Sequence, residues 1–187
     1  MAIRSFISVP LSEEVIDQID RTSRGLREKA SGIRGITYVK PENLHITLKF
    51  LGDIEMSDVP GIADVMQQAV NGISPFEIAV STLGGLPRIE KPRVVYVGIQ
   101  DEGKHLTSIF EKLNLKLHKV KKDHKKYIPH VTLMRIKHPK AWTRMVKLFD
   151  GMWTRNFGLD EVNCIELMQS ELKPDGPEYR VLERIQL

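Results

Sequence analysis

Apolar and polar positions along the chain form two kinds of pattern, which predict helices alternating with short strands. Apolar residues spaced three and four apart indicate a helix, and strict alternation indicates a strand. The clearest helical stripe runs from about Ser57 to Gly72. Its apolar positions are Ile62, Val65, Met66, Ala69, Val70 and Ile73. An earlier helix is predicted to begin after Ser12, because serine is a good N-cap and Glu13 and Glu14 favour a first turn.

The predicted elements follow a similar order in the two halves of the chain. Strands are predicted over residues 3–9, 36–39, 45–51, 76–83, 94–99, 162–171 and 179–185, with another beginning at His130. Helices are predicted over about 12–31, 57–72, 102–118 and 139–151. Gly52-Asp53 is interpreted as the end of the third strand, and residues 173–177 as a turn.

This order predicts an α+β fold with two pseudo-symmetric lobes. Each lobe is expected to be an antiparallel sheet with helices on its outer face, and the two lobes to enclose a central cleft. Residues 1–187 are interpreted as one bilobal domain. The lobes are expected to come mainly from about 1–90 and 91–187, with exchange of strands between them allowed.

One short pattern occurs once in each half. It reads His45-Ile46-Thr47-Leu48 in the first half and His130-Val131-Thr132-Leu133 in the second. In an extended strand the histidine and the threonine project from one face and the two apolar residues from the other. The apolar pair can therefore pack on a core while the imidazole and the hydroxyl face the cleft.

Two imidazoles facing each other across a cleft suit a reaction with two proton transfers. With ordinary pKa values near 6.5, one can be neutral and accept a proton while the other is charged and donates one. Thr47 and Thr132 would add hydroxyl donors for anionic oxygens. This set fits a phosphodiester better than acyl transfer, because no serine or cysteine nucleophile accompanies it. The near symmetry of the motifs leaves open whether His45 or His130 is the acid.

Composition and charge limit the class of protein and the kinds of partner that are expected. The chain has 187 residues, 41% of them hydrophobic and 28% charged, as expected of a globular protein. A net charge of +4 is compatible with a polyanionic partner. The single cysteine, Cys164, excludes an intrachain disulfide. No signal peptide or membrane span is evident, so a cytoplasmic protein is expected. It is also expected to be a monomer. Neither motif histidine has a carboxylate or cysteine at ligand spacing, so no metal and no cofactor are expected.

Two stretches carry a family resemblance, and residues 4–9 and 92–98 also fit it, so that it spans nearly the whole chain. Residues 43–52 and 129–135 are similar to the two signatures of the two-histidine phosphoesterase superfamily. Within it, the chain resembles the LigT-type RNA 2′,3′-cyclic phosphodiesterases, also called 2′-5′ RNA ligases. The resemblance implies metal-independent hydrolysis of an RNA 2′,3′-cyclic phosphate end to a 2′-phosphate, with 2′-5′ ligation as a related activity. It implies that His45 is the proton donor and His130 the proton acceptor. It also implies that the substrate is an RNA end, such as that of a tRNA fragment.

The resemblance also implies that Phe50 and Arg135 sandwich a nucleobase. Each lies five residues after its motif histidine, so strict strand alternation places both on the face opposite the histidines. They reach the cleft only through a β-bulge or at a strand end. Plain core packing is the alternative for Phe50.

Three functions stay open at this point. The first is an RNA cyclic phosphodiesterase, and the second is a phosphodiesterase of the same chemistry acting on a small cyclic nucleotide. The third is a non-catalytic RNA-binding module, against which the intact histidines and threonines argue. A loop containing Lys119, Lys121, Lys122, Lys125 and Lys126 precedes the second motif. It is interpreted either as a solvated loop or as a track for RNA phosphates.

Overall fold

Helices and strands alternate along residues 2–118, 120–121 and 126–187, the part of the chain that this computed structural model describes. The strands are β1 (Ala2–Val9), β2 (Ile36–Tyr38), β3 (Ile46–Glu55), β4 (Phe76–Leu86), β5 (Val94–Gln100), β6 (His130–Ile136), β7 (Asn156–Val162), β8 (Cys164–Lys173) and β9 (Gly176–Gln186). The helices are α1 (Glu13–Lys29), α2 (Val59–Val70), α3 (His105–Lys116) and α4 (Pro139–Met145). Three residues of the predicted lysine loop, Lys119, Lys122 and Lys125, lie outside the described residues.

The strands form one antiparallel sheet, in which the order is β7-β4-β5-β6-β3-β1-β8-β9 and β2 pairs with β6. This confirms the predicted α+β class. The two expected sheets are joined edge to edge, because β3 and β6 meet at the pair Ile46 and Val131. Strands of the two chain halves are mixed on both sides of this junction: β8 and β9 extend from β1, and β4 pairs with β5.

The helices cover the apolar face of the sheet. The Ser12 side chain accepts a hydrogen bond from the backbone N–H of Val15 at 3.4 Å, which confirms the predicted N-cap of α1. Helix α1 contacts β7, α4 contacts β6, and α3 contacts both α2 and β3. The inward faces of the helices and the apolar strand positions form one continuous core.

Several predicted boundaries are wrong. Strand β3 continues through Gly52 and Asp53, because these residues pair with Ser5 and Arg4 of β1 and Gly52 takes a positive φ of 79° within the ladder. Helix α4 ends at Met145 and a 3₁₀ turn carries the chain to Phe149, short of the predicted end at residue 151.

Strand β7 was not predicted, and its last residue was assigned to the following strand. Its sequence is polar apart from a few positions and contains Gly158, so it lacks a strong alternation. Pairing with the apolar strand β4 makes it extended. The predicted strand 162–171 is therefore divided after Val162, and β8 begins at Cys164.

Strand β3 carries an extra residue three positions after the motif histidine. Thr47 pairs with Ser8 of β1 and Lys49 pairs with Ile7, which leaves Leu48 without a residue opposite it. Such a β-bulge reverses the alternation of side chains beyond it. Leu48 and Lys49 are consequently both buried, at 2% and 1% exposure.

Strand β6 carries the matching bulge. Thr132 pairs with Tyr96 of β5 and Met134 pairs with Val95, so Leu133 is the extra residue. Leu133 and Met134 are buried at 1% and 0% exposure, and Arg135 after them is exposed. The two motif strands therefore share one sequence of buried and exposed positions.

Truncation at the junction of the sheet should be costly. We expect Ile46→Ala to lower the free energy of unfolding by about 2–5 kcal/mol, because a fully buried side chain leaves a cavity. Urea unfolding measures this loss. Leu159→Ala is the matched control, since Leu159 is 60% exposed and its truncation should change stability by less than about 0.5 kcal/mol. Equal losses in the two variants would show that the junction is not tightly packed.

Candidate active site

The junction of β3 and β6 fixes how the two motifs face each other. Ile46 and Val131 are directly opposite one another, and both are 0% exposed. An antiparallel pair has a local twofold axis, so each strand presents the same surroundings to its partner. The two motifs are therefore related by a pseudo-twofold axis at this pair.

The two histidines and two threonines lie on the face of the strands opposite the core. Continuing the register by one residue in each direction places His45 opposite Thr132, and Thr47 opposite His130. Residues directly opposite in an antiparallel pair are about 5 Å apart, and diagonal ones about 7–8 Å. Consistent with this register, both imidazoles line one cleft, and the charge of His130 acts on His45.

A cleft of about 390 Å³ opens on this face. All six residues singled out in the sequence line it: His45, Thr47, Phe50, His130, Thr132 and Arg135. Its other walls include residues 37–40 around β2 and the turn between β8 and β9 at residues 175–177. The turn predicted at residues 173–177 therefore forms part of the site.

Both imidazoles are held through the same ring nitrogen. Nδ1 of His45 lies 2.8 Å from the carbonyl oxygen of Asn43, and Nδ1 of His130 lies 2.7 Å from that of Ile128. Because a carbonyl oxygen only accepts, Nδ1 carries the proton in each neutral ring. Each Nε2 is then left with a lone pair for chemistry. Nε2 of His45 also lies 3.0 Å from the hydroxyl of Thr47.

Aromatic side chains fix the planes of the imidazoles. Phe6 stacks on His45 with ring centroids 4.9 Å apart, and Tyr179 meets the same imidazole edge-on at 5.4 Å. Tyr96 lies 5.1 Å from the ring of His130. These rings limit rotation of both histidines and keep Nε2 aimed in one direction.

Burial and neighbouring positive charge keep both imidazoles neutral at neutral pH. The pKa of His45 is lowered to about 4, mainly by burial, with smaller contributions from the charges of His130 and Arg135 and against the opposing effect of the Asn43 carbonyl. Burial is also the main reason that the pKa of His130 lies below its ordinary value, and Arg135 adds to it.

Phe50 and Arg135 reach the cleft because of the two bulges. Strict alternation would place both in the core, but the extra residues Leu48 and Leu133 return them to the face of the histidines. Phe50 is 48% exposed, and Nζ of Lys121 lies 5.9 Å from its ring centroid. The aromatic and guanidinium surfaces needed for base stacking are therefore available in the cleft.

Sequence reasoning missed the residues that support the histidines. Asn43 is buried, and its side-chain amide donates to the carbonyl of Pro177 at 2.8 Å, which connects the β8–β9 turn to the backbone that holds His45. Asn43 lies inside the first signature, so its position was a usable signal. Phe6 and Tyr179 come from distant strands, and no local pattern links them to His45.

Within the described ranges, no group of three or more His, Cys, Asp or Glu residues is placed to hold a metal ion. A search of the same residues for a helix long and apolar enough to cross a membrane found none.

Comparison with known proteins shows the family and agrees with the fold. A family model described as "LigT like Phosphoesterase" matches residues 9–96, which include the first motif. The RNA 2′,3′-cyclic phosphodiesterase of Methanothermobacter thermautotrophicus is 30% identical over 188 residues and is covered completely, as is this chain. That of Aquifex aeolicus is 32% identical, with 99% of this chain and 97% of the relative covered.

A solved structure extends the comparison to the fold. The protein TT0787 of Thermus thermophilus superposes with a TM-score of 0.78 at 28% identity, covering 99% of this chain and 98% of the other. The chain belongs to the LigT-like phosphoesterase family.

The low pKa of His45 should appear in acid titration. Because its pKa of about 4 in the folded protein lies below the ordinary value of 6.5, the unfolded chain binds this proton first as pH falls. The contribution to stability is complete above pH 6.5 and is lost as pH falls toward 4. NMR titration of the imidazole measures the pKa, with His45→Gln to assign the signal. Inorganic phosphate should raise this pKa, since an anion favours the imidazolium. Titration of His45 near 6.5 without phosphate would contradict its burial.

Proposed function

We propose that this protein hydrolyses the 2′,3′-cyclic phosphate at the end of an RNA to a 2′-phosphate, without a metal. The observation that carries the proposal is the pseudo-twofold pair of histidines, each with its Nδ1 held by a carbonyl and its Nε2 available in one cleft. The names of the relatives from Methanothermobacter thermautotrophicus and Aquifex aeolicus support the choice of substrate.

The two histidines divide the proton transfers. Nε2 of His130 accepts a proton from water as the water oxygen attacks phosphorus. Nε2 of His45 donates a proton to the departing 3′ oxygen, so that the bond from phosphorus to this oxygen breaks and the phosphate stays on the 2′ oxygen. The assignment of donor and acceptor follows the family resemblance, since the two sites are nearly symmetric. An RNA 5′-hydroxyl attacking in place of water would give a 2′-5′ linkage.

Binding of the anionic substrate explains how His45 becomes protonated and able to act as the proton donor. His45 is neutral at pH 7 in the protein alone, since its pKa is about 4. A cyclic phosphate diester carries a negative charge, and an anion beside a buried imidazole raises the imidazole pKa. Binding and proton uptake are therefore coupled, and the same anion accepts hydrogen bonds from the hydroxyls of Thr47 and Thr132.

Phe50 and Arg135 hold the nucleobase in this proposal. Both lie on the cleft face, and an aromatic ring and a guanidinium plane stack on any base. Arg135 also contributes positive charge close to both histidines. The monomeric state, the cytoplasmic location and tRNA fragments as substrates stay predictions from the sequence.

Loss of either histidine should reduce turnover strongly. We expect His45→Ala and His130→Ala each to lower kcat by about 10²–10⁴-fold, the usual value of general acid or base catalysis. The double variant should fall little below the worse single variant, because both residues act in one transition state. His118→Ala is the matched control, since His118 is exposed and its ring contacts the carbonyl of Leu115 on α3. A motif-histidine variant with nearly normal kcat would refute the acid–base pair.

The product defines the reaction. RNA ending in a 2′,3′-cyclic phosphate should yield a terminal 2′-phosphate, and the rate should be the same in excess EDTA because every proposed group is a side chain. Mass spectrometry with authentic 2′- and 3′-phosphate standards identifies the product. A 3′-phosphate product would mean that the 2′ oxygen, and not the 3′ oxygen, is the leaving group. Activity that requires a divalent ion would rule out the proposed mechanism. Turnover of cyclic mononucleotides without any turnover of RNA would favour the small-nucleotide enzyme.

A further inference from the structure

We propose that a basic strip beyond the end of β6 binds the phosphodiester backbone of the RNA several nucleotides away from the reacting end. The basic strip consists of Arg34, Lys137, His138, Lys140 and Arg144. The inference rests on the proposed function and deepens it, because it makes a polynucleotide, and not a free nucleotide, the substrate for which this face is built.

All the strip residues except Lys137 line a surface depression of about 460 Å³. The depression is lined by Gly32, Ile33, Arg34, His138, Lys140, Ala141 and Arg144, a set without any acidic residue. Gly35 brings the two sides together: it has a φ of +91°, and a Cβ there would lie 3.0 Å from the ring of His138. The two cationic segments are thus packed closely enough to act on one ligand.

The positive charge of the strip is not balanced locally. Neither of the two chain segments that contribute to it, residues 29–41 and 126–149, contains an aspartate or a glutamate. All five side chains of the strip are exposed, and within the described part of the chain none of them is in an ion pair. Exposed lysines and arginines without acidic neighbours are the electrostatic signature of a nucleic-acid backbone site.

A continuous ladder leads from the cleft to the strip. Thr37 of β2 pairs with Arg135 of β6, and both line the cleft. One step further out, the N–H of Lys137 donates to the carbonyl of Gly35 at 2.8 Å. By strand alternation Lys137 projects from the same face as Arg135. The cations therefore continue outward in the direction in which an RNA bound at the cleft can extend.

The separation sets the length of RNA that can use the strip. His138 follows His130 by eight residues, which corresponds to roughly 26 Å of extended chain. Along one strand of a stacked helix, each nucleotide advances the phosphate by about 3.4 Å along the helix axis. A phosphate in the depression would thus belong to a nucleotide several positions from the cyclic end. Such contacts position the RNA without reading its sequence.

Neutralising the strip should weaken the binding of long RNA but leave the turnover of mononucleotides unchanged. The test compares Arg34→Gln/Arg144→Gln with the control Arg21→Gln/Lys104→Gln, which removes the same charge from exposed positions on α1 and at the start of α3. Affinity is measured for an RNA of about 20 nucleotides ending in a 2′-phosphate, well beyond the roughly eight stacked nucleotides needed. We expect a roughly 30-fold weaker Kd, as for two exposed charge pairs at the upper end of their strength. The slope of log K against log salt should flatten by about 1.4.

Turnover of a 2′,3′-cyclic mononucleotide should stay unchanged in both double variants, because a mononucleotide does not reach the strip. Unchanged affinity for the long RNA, or an equal loss in the control variant, would overturn the inference. A loss of mononucleotide turnover as large as the loss of affinity for long RNA would show that the residues support the fold or the cleft, and would also overturn the inference. If Arg34→Gln/Arg144→Gln does not fold, Lys137→Gln/Lys140→Gln tests the same strip. Failure of the wild-type protein to hydrolyse any cyclic phosphate would instead refute the proposed function.

Discussion

The pairing of Ile46 with Val131 is the constraint on which the site depends. It joins the two halves of the sheet, and its twofold symmetry sets His45, Thr47, His130 and Thr132 around one point. A slip by one residue would turn one histidine and its threonine toward the core, since side chains alternate between faces. Apolar packing against the inner residues penalises that slip, because both residues of the pair are completely buried. The hydrophobic core thus determines the geometry of polar groups on the opposite face.

The paired bulges are the second consequence of this arrangement. Without the bulge in β3, alternation would place Lys49 in the cleft and Phe50 in the core. The structure reverses the two: Lys49 is 1% exposed and Phe50 is 48% exposed. Burying a lysine is unfavourable unless its polar atoms are satisfied. Here Nζ donates to the side-chain oxygen of Asn114 on α3 at 2.8 Å. The cleft therefore gains an aromatic surface, and α3 gains a polar anchor to the strand.

Charge organises the molecule at two distances from the reacting centre. In the cleft, burial and Arg135 hold the histidines neutral. An anionic substrate is attracted by Arg135 and raises the pKa of His45, so that His45 takes up a proton from solvent. Further out, the basic strip is exposed and screened by solvent, so each cation contributes little alone. The first region determines chemistry through a few strong, desolvated contacts. In our inference, the basic strip determines, through several weak contacts, how long an RNA must be to bind well.

The sequence by itself determined the α+β class and the repeated motif. It also set the helical stripes and the Ser12 cap, because these depend on the spacing of nearby residues. Tertiary structure decided the rest. The motif residues Val131 and Thr132 are recognisable in the sequence. The bulge at Leu133 depends on the register with β5, so the sequence alone did not determine the face from which Arg135 projects. Strand β7 required β4 as its partner, and Phe6 and Tyr179 reach His45 from other strands. Local periodicity carries no information about which distant strand supplies a neighbour, since that choice is made by packing of the whole core.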